Sequence, residues 1–264
     1  MRPPPHPLVP PRAAAASAAN PSAPPRSVGI LGGMGPAAGV DFVRLFLIAC
    51  EHCLREIGTP VADQAYPEHW LAQIPVVDRT LALRDPDAPQ PLAAMLQAIG
   101  RLSDLGARTI AVACNTAHAW HGALQQRRPD VQLLHIANET VAHLHAAGVE
   151  QAILLATQGT YRMGLYDAAF AASGIRCLLP ALEEQRWLME GIYDGVKAGR
   201  LELARERFGA VGHALHARYG KVPLVMACTE IPLALPQVDE ARDWILVDPT
   251  EILATALARR AYSL

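Results

Sequence analysis

Two cysteines carry the clearest chemistry in the sequence. Thr109–Thr116 reads T-I-A-V-A-C-N-T and Pro223–Glu230 reads P-L-V-M-A-C-T-E. In each, a hydrophobic run delivers a cysteine, Cys114 or Cys228, and then a polar, hydroxyl-bearing step into what reads as a helix start. A thiol at such a junction faces unpaired helix amides, which favour negative charge and are expected to lower its pKa toward neutrality. Asn115, Thr116 and Thr229 add hydrogen-bond donors of the kind that hold a carboxylate at a helix N-terminus. One activated thiol points to a nucleophile, which needs a general base and an oxyanion site. A matched pair points instead to proton transfer at carbon. One group removes a proton from one face while the second, already protonated, delivers a proton to the other, and the two ionisation states exchange when the reaction reverses. Such a carbanion must be stabilised by donors and cations on its carboxylate, away from water.

The elements around these residues alternate. Short aliphatic runs at 28–32, 108–113, 132–136, 151–156, 175–179, 222–227 and 244–247 read as strands. Between them, helical spacing of apolar residues covers 41–57, 91–105, 139–147, 183–198 and 201–218, and a last helix begins at Asp248 and Pro249. This alternation predicts an α/β fold with parallel sheets. A weak internal repeat sharpens it: V-G-I-L-G-G-M-G at Val28–Gly35 is echoed by A-I-L-L-A-T-Q-G-T at Ala152–Thr160, just as the Cys114 segment is echoed by that of Cys228. The expectation is two pseudo-twofold-related lobes, each a parallel sheet flanked by helices, with the active site in the cleft between them. Lobe boundaries are expected at 27–130 plus 239–264 for the first and 131–238 for the second, after a Pro/Ala-rich tail at 1–26.

Composition narrows the class. The 264 residues carry a formal charge of −2 and are 51% hydrophobic. There is no basic stripe of the kind that binds nucleic acid, and no apolar run approaches the roughly 20 residues of a membrane helix. Five scattered cysteines do not make a disulfide scaffold, which favours a reducing cytoplasm. The prolines of the tail interrupt any apolar leader segment, so the tail reads as disordered.

The motifs together resemble the aspartate/glutamate racemase family along nearly the whole chain from Ser27. They are I-L-G-G-M-G-P at Ile30–Pro36, D-R-T at Asp78–Thr80, C-N-T-A-H at Cys114–His118, L-L-A-T-Q-G-T at Leu154–Thr160, I-Y-D-G-V-K-A-G at Ile192–Gly199, A-C-T-E-I at Ala227–Ile231, and D-P at Asp248–Pro249. The resemblance implies a homodimer and a reaction without pyridoxal phosphate, any other cofactor or a metal. It matches Cys114 and Cys228 to the two acid/base thiols, and Arg79 and Lys197 to the cations that hold substrate carboxylates. Met34, Asn115, Thr116, Thr160 and Thr229 match positions that line the pocket. Two cations suit a dicarboxylic amino acid, aspartate before glutamate. The segment Ala72–Val77 lacks the Asn-Pro-rich turn that the family carries before its D-R-T, so the choice between the two stays open. Relatives of the family include hydantoin racemases, maleate isomerases and arylmalonate decarboxylases. A lyase of the last kind, which needs one protonating thiol, a hydantoin racemase, and a non-catalytic amino-acid sensor are the competing readings.

Other motifs read as structural. G-x-G-x-x-A at Gly33–Ala38 has Pro36 inside it and no acidic residue closing a second strand, so a tight turn against a small ligand fits better than a dinucleotide site. Cys50 and Cys53 fall inside a helix without a second cysteine pair, and His118 and His121 lack a third metal ligand. His143 and His145 read as solvated helix positions. Glu230 is divided between bonding into the site and favouring the helix start.

Overall fold

The computed structural model describes residues 24–264, which divide into two compact units, residues 24–139 with 250–264 and residues 140–249. In the first, strand β1 (Val28–Gly32) runs into helix α1 (Pro36–Glu56), followed by β2 (His69–Gln73), α2 (Arg79–Arg84), α3 (Leu92–Asp104), β3 (Thr109–Val112), α4 (His121–Arg127), β4 (Gln132–Leu133) and the start of α5 (Ile136–Ala146). The second holds β5 (Gln151–Ala156), α6 (Gln158–Arg162), α7 (Asp167–Ser173), β6 (Arg176–Leu178), α8 (Leu182–Glu190), α9 (Leu201–Tyr219), β7 (Leu224–Ala227) and β8 (Leu246–Val247). Helix α10 (Pro249–Ala261) then returns to the first unit.

Both sheets are parallel, four-stranded and wound alike, in the orders β2-β1-β3-β4 and β6-β5-β7-β8. The expected fold class, parallel sheets flanked by helices, is what is found, and the two halves of the sequence repeat occupy the two central strands of each sheet. Alternation along the strands sorts side chains by face. Val28, Ile30, Ala111 and Ala113 pack with Phe42 and Phe46 of α1 and Leu253 and Leu257 of α10. Leu31, Ile110 and Val112 pack with Met95, Ile99 and Leu102 of α3. In the second unit, Ile153, Leu155, Leu224 and Met226 lie against Leu188 of α8 and Phe208, Val211 and Leu215 of α9. Strands buried on both faces are continuously apolar, which is why the central strands are legible in sequence.

The unit boundaries correct the sequence expectation. Strand β4 pairs with β3, so residues 131–139 stay with the first sheet, and β8 pairs with β7, so 239–249 stay with the second. A two-residue strand carries too little pattern to declare its partner, and pairing alone decides. Strand β2 was not expected at all. It is a partly exposed edge strand, H-W-L-A-Q, with one β-favouring aromatic and no β-branched residue. Most of the proposed 1–26 tail lies outside the described residues. Within it, Arg26 N donates to Ala261 O at 2.8 Å, so the chain is already fastened to α10 at that point.

Candidate active site

A sheet wound 2-1-3-4 reverses its direction of winding between the first and third strands, and the loops leaving those two strands diverge to make the ligand crevice of open α/β sheets. In the first unit these are the loop Gly33–Gly35 after β1 and the segment 113–116 after β3. Gly33 has φ +93°, and a β carbon there would run into the backbone carbonyl of Ile74, so only glycine fits. Pro36 opens α1 at its first turn, where its missing N–H costs nothing.

Arg79 begins α2, whose cap is the Asp78 side chain accepting from Leu81 N at 2.7 Å. Its guanidinium is buried and donates to the carbonyl oxygens of Met34 at 2.6 Å, Val77 at 3.1 Å and Val76 at 3.2 Å. The structure thus brings Arg79 and Met34 together. Cys114 is buried directly after β3, with Asn115 and Thr116 buried beside it. His118 Nδ1 lies 2.8 Å from the Cys114 carbonyl oxygen and Nε2 3.3 Å from that of Leu134. Burial, with the His135 and His121 rings nearby, pushes His118 down to about 3, and burial pushes His135 down to about 4. These imidazoles are therefore neutral near pH 7. His118 thereby anchors the turn after Cys114. Among the described residues no group of three or more His, Cys, Asp or Glu is placed to hold a metal ion.

In the second unit the corresponding loops are 157–160 after β5 and 228–230 after β7. Thr157 caps α6, its Oγ1 accepting from Thr160 N at 3.2 Å, and Thr160 is buried there. Cys228, Thr229 and Glu230 are all buried. The Cys228 thiol and the Thr229 hydroxyl both donate to Glu230 Oε2, each at 3.1 Å. Lys197 Nζ stands 3.7 Å from the other oxygen, Oε1, and 4.9 Å from the centre of the Tyr193 ring. Lys197 owes its place to a π-helical turn, Gly191–Val196, that follows α8 where a regular helix was expected through residue 198. Such turns favour functional positions. Here β carbons at Gly191 and Gly195 would collide with Phe208 and Ala204 of α9.

One expectation is overturned. Instead of falling toward neutrality, the Cys228 thiol is held well above its ordinary value, first by burial and then by the negative charge of Glu230, with Lys197 opposing. The helices expected after the two cysteines are short 3₁₀ turns, Thr116–Trp120 and Ile231–Leu233. So brief a turn aligns few peptide dipoles.

Sequence reasoning missed Gln73, whose Nε2 donates to Pro36 O at 2.9 Å and whose amide fills the space left by Gly32 and Gly39. The glycines were visible, but their partner on an unrecognised strand was not. Glu230 was noticed without a decision on its role, and the structure shows it bonded to Cys228. Cys50 and Cys53 are buried in α1, where burial pushes their thiols up to about 12 and about 11, so they are unreactive. Among the described residues no helix is long and apolar enough to cross a membrane.

The structure is similar to that of Picrophilus torridus aspartate racemase, with a TM-score of 0.75, 28% identity, and coverage of 89% of this chain and 94% of that one. It shares the fold of glutamate racemase from Francisella tularensis subsp. tularensis, with a TM-score of 0.59, 15% identity, and coverage of 89% and 80%. Among characterised sequences, it is 29% identical over 151 residues to the broad specificity amino-acid racemase RacX of Bacillus subtilis (strain 168). That match spans 56% of this chain and 61% of RacX. The Asp/Glu/Hydantoin racemase family model matches residues 31–257, and the chain belongs to that family.

Proposed function

We propose that this chain racemises an acidic amino acid, aspartate in first place, without a cofactor and by a two-base mechanism. The observation that carries the proposal is the repetition of one arrangement. Each sheet has the same strand order, and each places a buried cysteine directly after its third strand in sequence, Cys114 after β3 and Cys228 after β7. The likeness to an aspartate racemase at 28% identity supports the choice of aspartate. In this reading one thiolate takes the α-proton of the substrate and the other cysteine, as a thiol, returns a proton to the opposite face. Arg79 and Lys197 supply the positive charge that holds the two carboxylates. Met34, Asn115, Thr116, Thr160 and Thr229 line the site with backbone and hydroxyl groups that meet the carbanion's developing charge. A homodimer is the proposed active form, on the family resemblance. A reducing cytoplasm is the proposed location, supported by the five free cysteines.

The test is incubation with each enantiomer of aspartate and glutamate in heavy water, without pyridoxal phosphate, following α-deuteration by NMR and optical rotation. Deuterium entering both enantiomers with loss of rotation is the expected result, and Cys114→Ser and Cys228→Ser should each slow racemisation at least about a hundredfold. Full turnover of a malonate-type substrate after Cys114→Ser would replace this reading with that of a lyase. Tight binding of an acidic amino acid without exchange would replace it with that of a sensor.

A further inference from the structure

Two-base proton transfer needs one cysteine charged and the other protonated, and the surroundings of Cys228 are built to choose. Its sulfur donates to the Glu230 carboxylate at 3.1 Å, so the hydrogen bond exists only while the proton is on sulfur. Removing that proton would leave two anions at the same separation, both nearly excluded from water. The Glu230 side chain is 4% exposed, and Lys197, 25% exposed, partly balances it through Oε1. The other titratable groups facing Cys228 in its unit are Tyr161 and Tyr166, both buried phenols that stay neutral. Tyr161 is committed elsewhere, donating to Leu154 O and accepting from Ala156 N, each at 2.8 Å.

We infer that Glu230 is a positioning residue that holds Cys228 in its thiol form, so that Cys228 is the proton donor of the resting enzyme and Lys197 sets how firmly that state is held. The inference rests on the two-thiol reading above. After Cys228 gives its proton to the substrate carbon, the new thiolate lies against Glu230, and repulsion between them drives recapture of a proton from the product or from water. A carboxylate that draws the Lys197 ammonium toward itself strips Glu230 of its counter-charge and tightens the hold on the proton. The two thiols are therefore unequal, although the strand arrangement that carries them is repeated.

The test reads ionisation directly. The full-length protein is alkylated with iodoacetamide, an uncharged reagent, across about pH 7 to 10, and the peptides containing Cys114 and Cys228 are quantified separately by mass spectrometry. In Glu230→Gln, which keeps size and hydrogen bonding but removes the charge, Cys228 should alkylate about tenfold faster at about pH 9 than in wild type, with its pH midpoint lowered. Glu230→Asp should restore a slow rate. A Cys228 rate in Glu230→Gln within about twofold of wild type across the range would overturn the inference, because a purely structural glutamate leaves thiol ionisation unmoved. If Glu230→Gln does not fold, Lys197→Met carries the test. Loss of the ammonium must slow Cys228 alkylation, and an unchanged rate would likewise overturn the proposal. Because no turnover is measured, failure here is separate from failure of the racemase reading, which the deuterium-exchange experiment decides.

Discussion

The Arg79 guanidinium reaches back 45 positions to donate to the carbonyl oxygen of Met34 at 2.6 Å. It ties the loop after the first strand to the first turn of α2, and it also donates to Val76 and Val77. A flat, forked group can serve several carbonyls at once, whereas a lysine ammonium offers a single point of charge.

Arg79→Lys is therefore expected to loosen this link while preserving charge. Stability should fall by about 1–3 kcal/mol, the usual cost of leaving buried polar groups unsatisfied. KM for the acidic substrate should rise more than kcat falls. Urea unfolding followed by circular dichroism and steady-state kinetics check the two parts, and an unchanged midpoint would contradict the bridging role.

Gly33→Ala should be costly on two separate counts. The φ of +93° is unfavourable for alanine, and the added methyl would overlap the carbonyl of Ile74. Strain of this kind costs on the order of 1–3 kcal/mol before the overlap is counted. Calorimetry should show a Tm lowered by several degrees. At Gly58, where φ is +71° with open space around it, alanine should cost less, because only the backbone conformation is strained.

Acid should destabilise the first unit through its buried histidines. His118, held down to about 3, and His135, held down to about 4, stay neutral in the folded state at pH values where the unfolded chain has bound protons. The unfolded state thus binds more protons below its ordinary histidine pKa of about 6.5, and stability declines as pH falls from there toward the folded values. Each histidine contributes a slope approaching about 1.4 kcal/mol per pH unit. His118→Gln should remove about half of the combined slope between about pH 6 and 4.5 in urea titrations, whatever its constant cost. An identical slope would show that His118 protonates freely in the fold.

The central strands and the two cysteines could be read from sequence because their signals are local. Val28–Gly32 and Gln151–Ala156 are uninterrupted apolar runs, buried on both faces. The edge strand His69–Gln73 is only half covered, lacks β-branched residues, and is defined by pairing with β1, a contact 41 positions away at Val28 and His69. The π-helical turn before Lys197 was hidden for a related reason. It is held by two glycines meeting Phe208 and Ala204, so its cause lies on another helix. At the site, residue types pointed to candidate groups, but the charge state of Cys228 depends on a carboxylate two residues on and an ammonium on a separate element. Local reasoning from a helix N-terminus alone gave the wrong sign there.

Helix α10 has a consequence for how the polypeptide is made. Leu253, Ala254, Leu257 and Ala258 cover Val28, Ile30, Phe42 and Phe46, residues that leave the ribosome more than two hundred positions earlier. Until that helix emerges, one side of the early sheet stays bare and greasy, while the unit at 140–249 already has its whole length available. Newly made chains thus have a window in which the amino-terminal half is vulnerable to clumping and chaperone capture, and it closes only when the last turns of helix are translated.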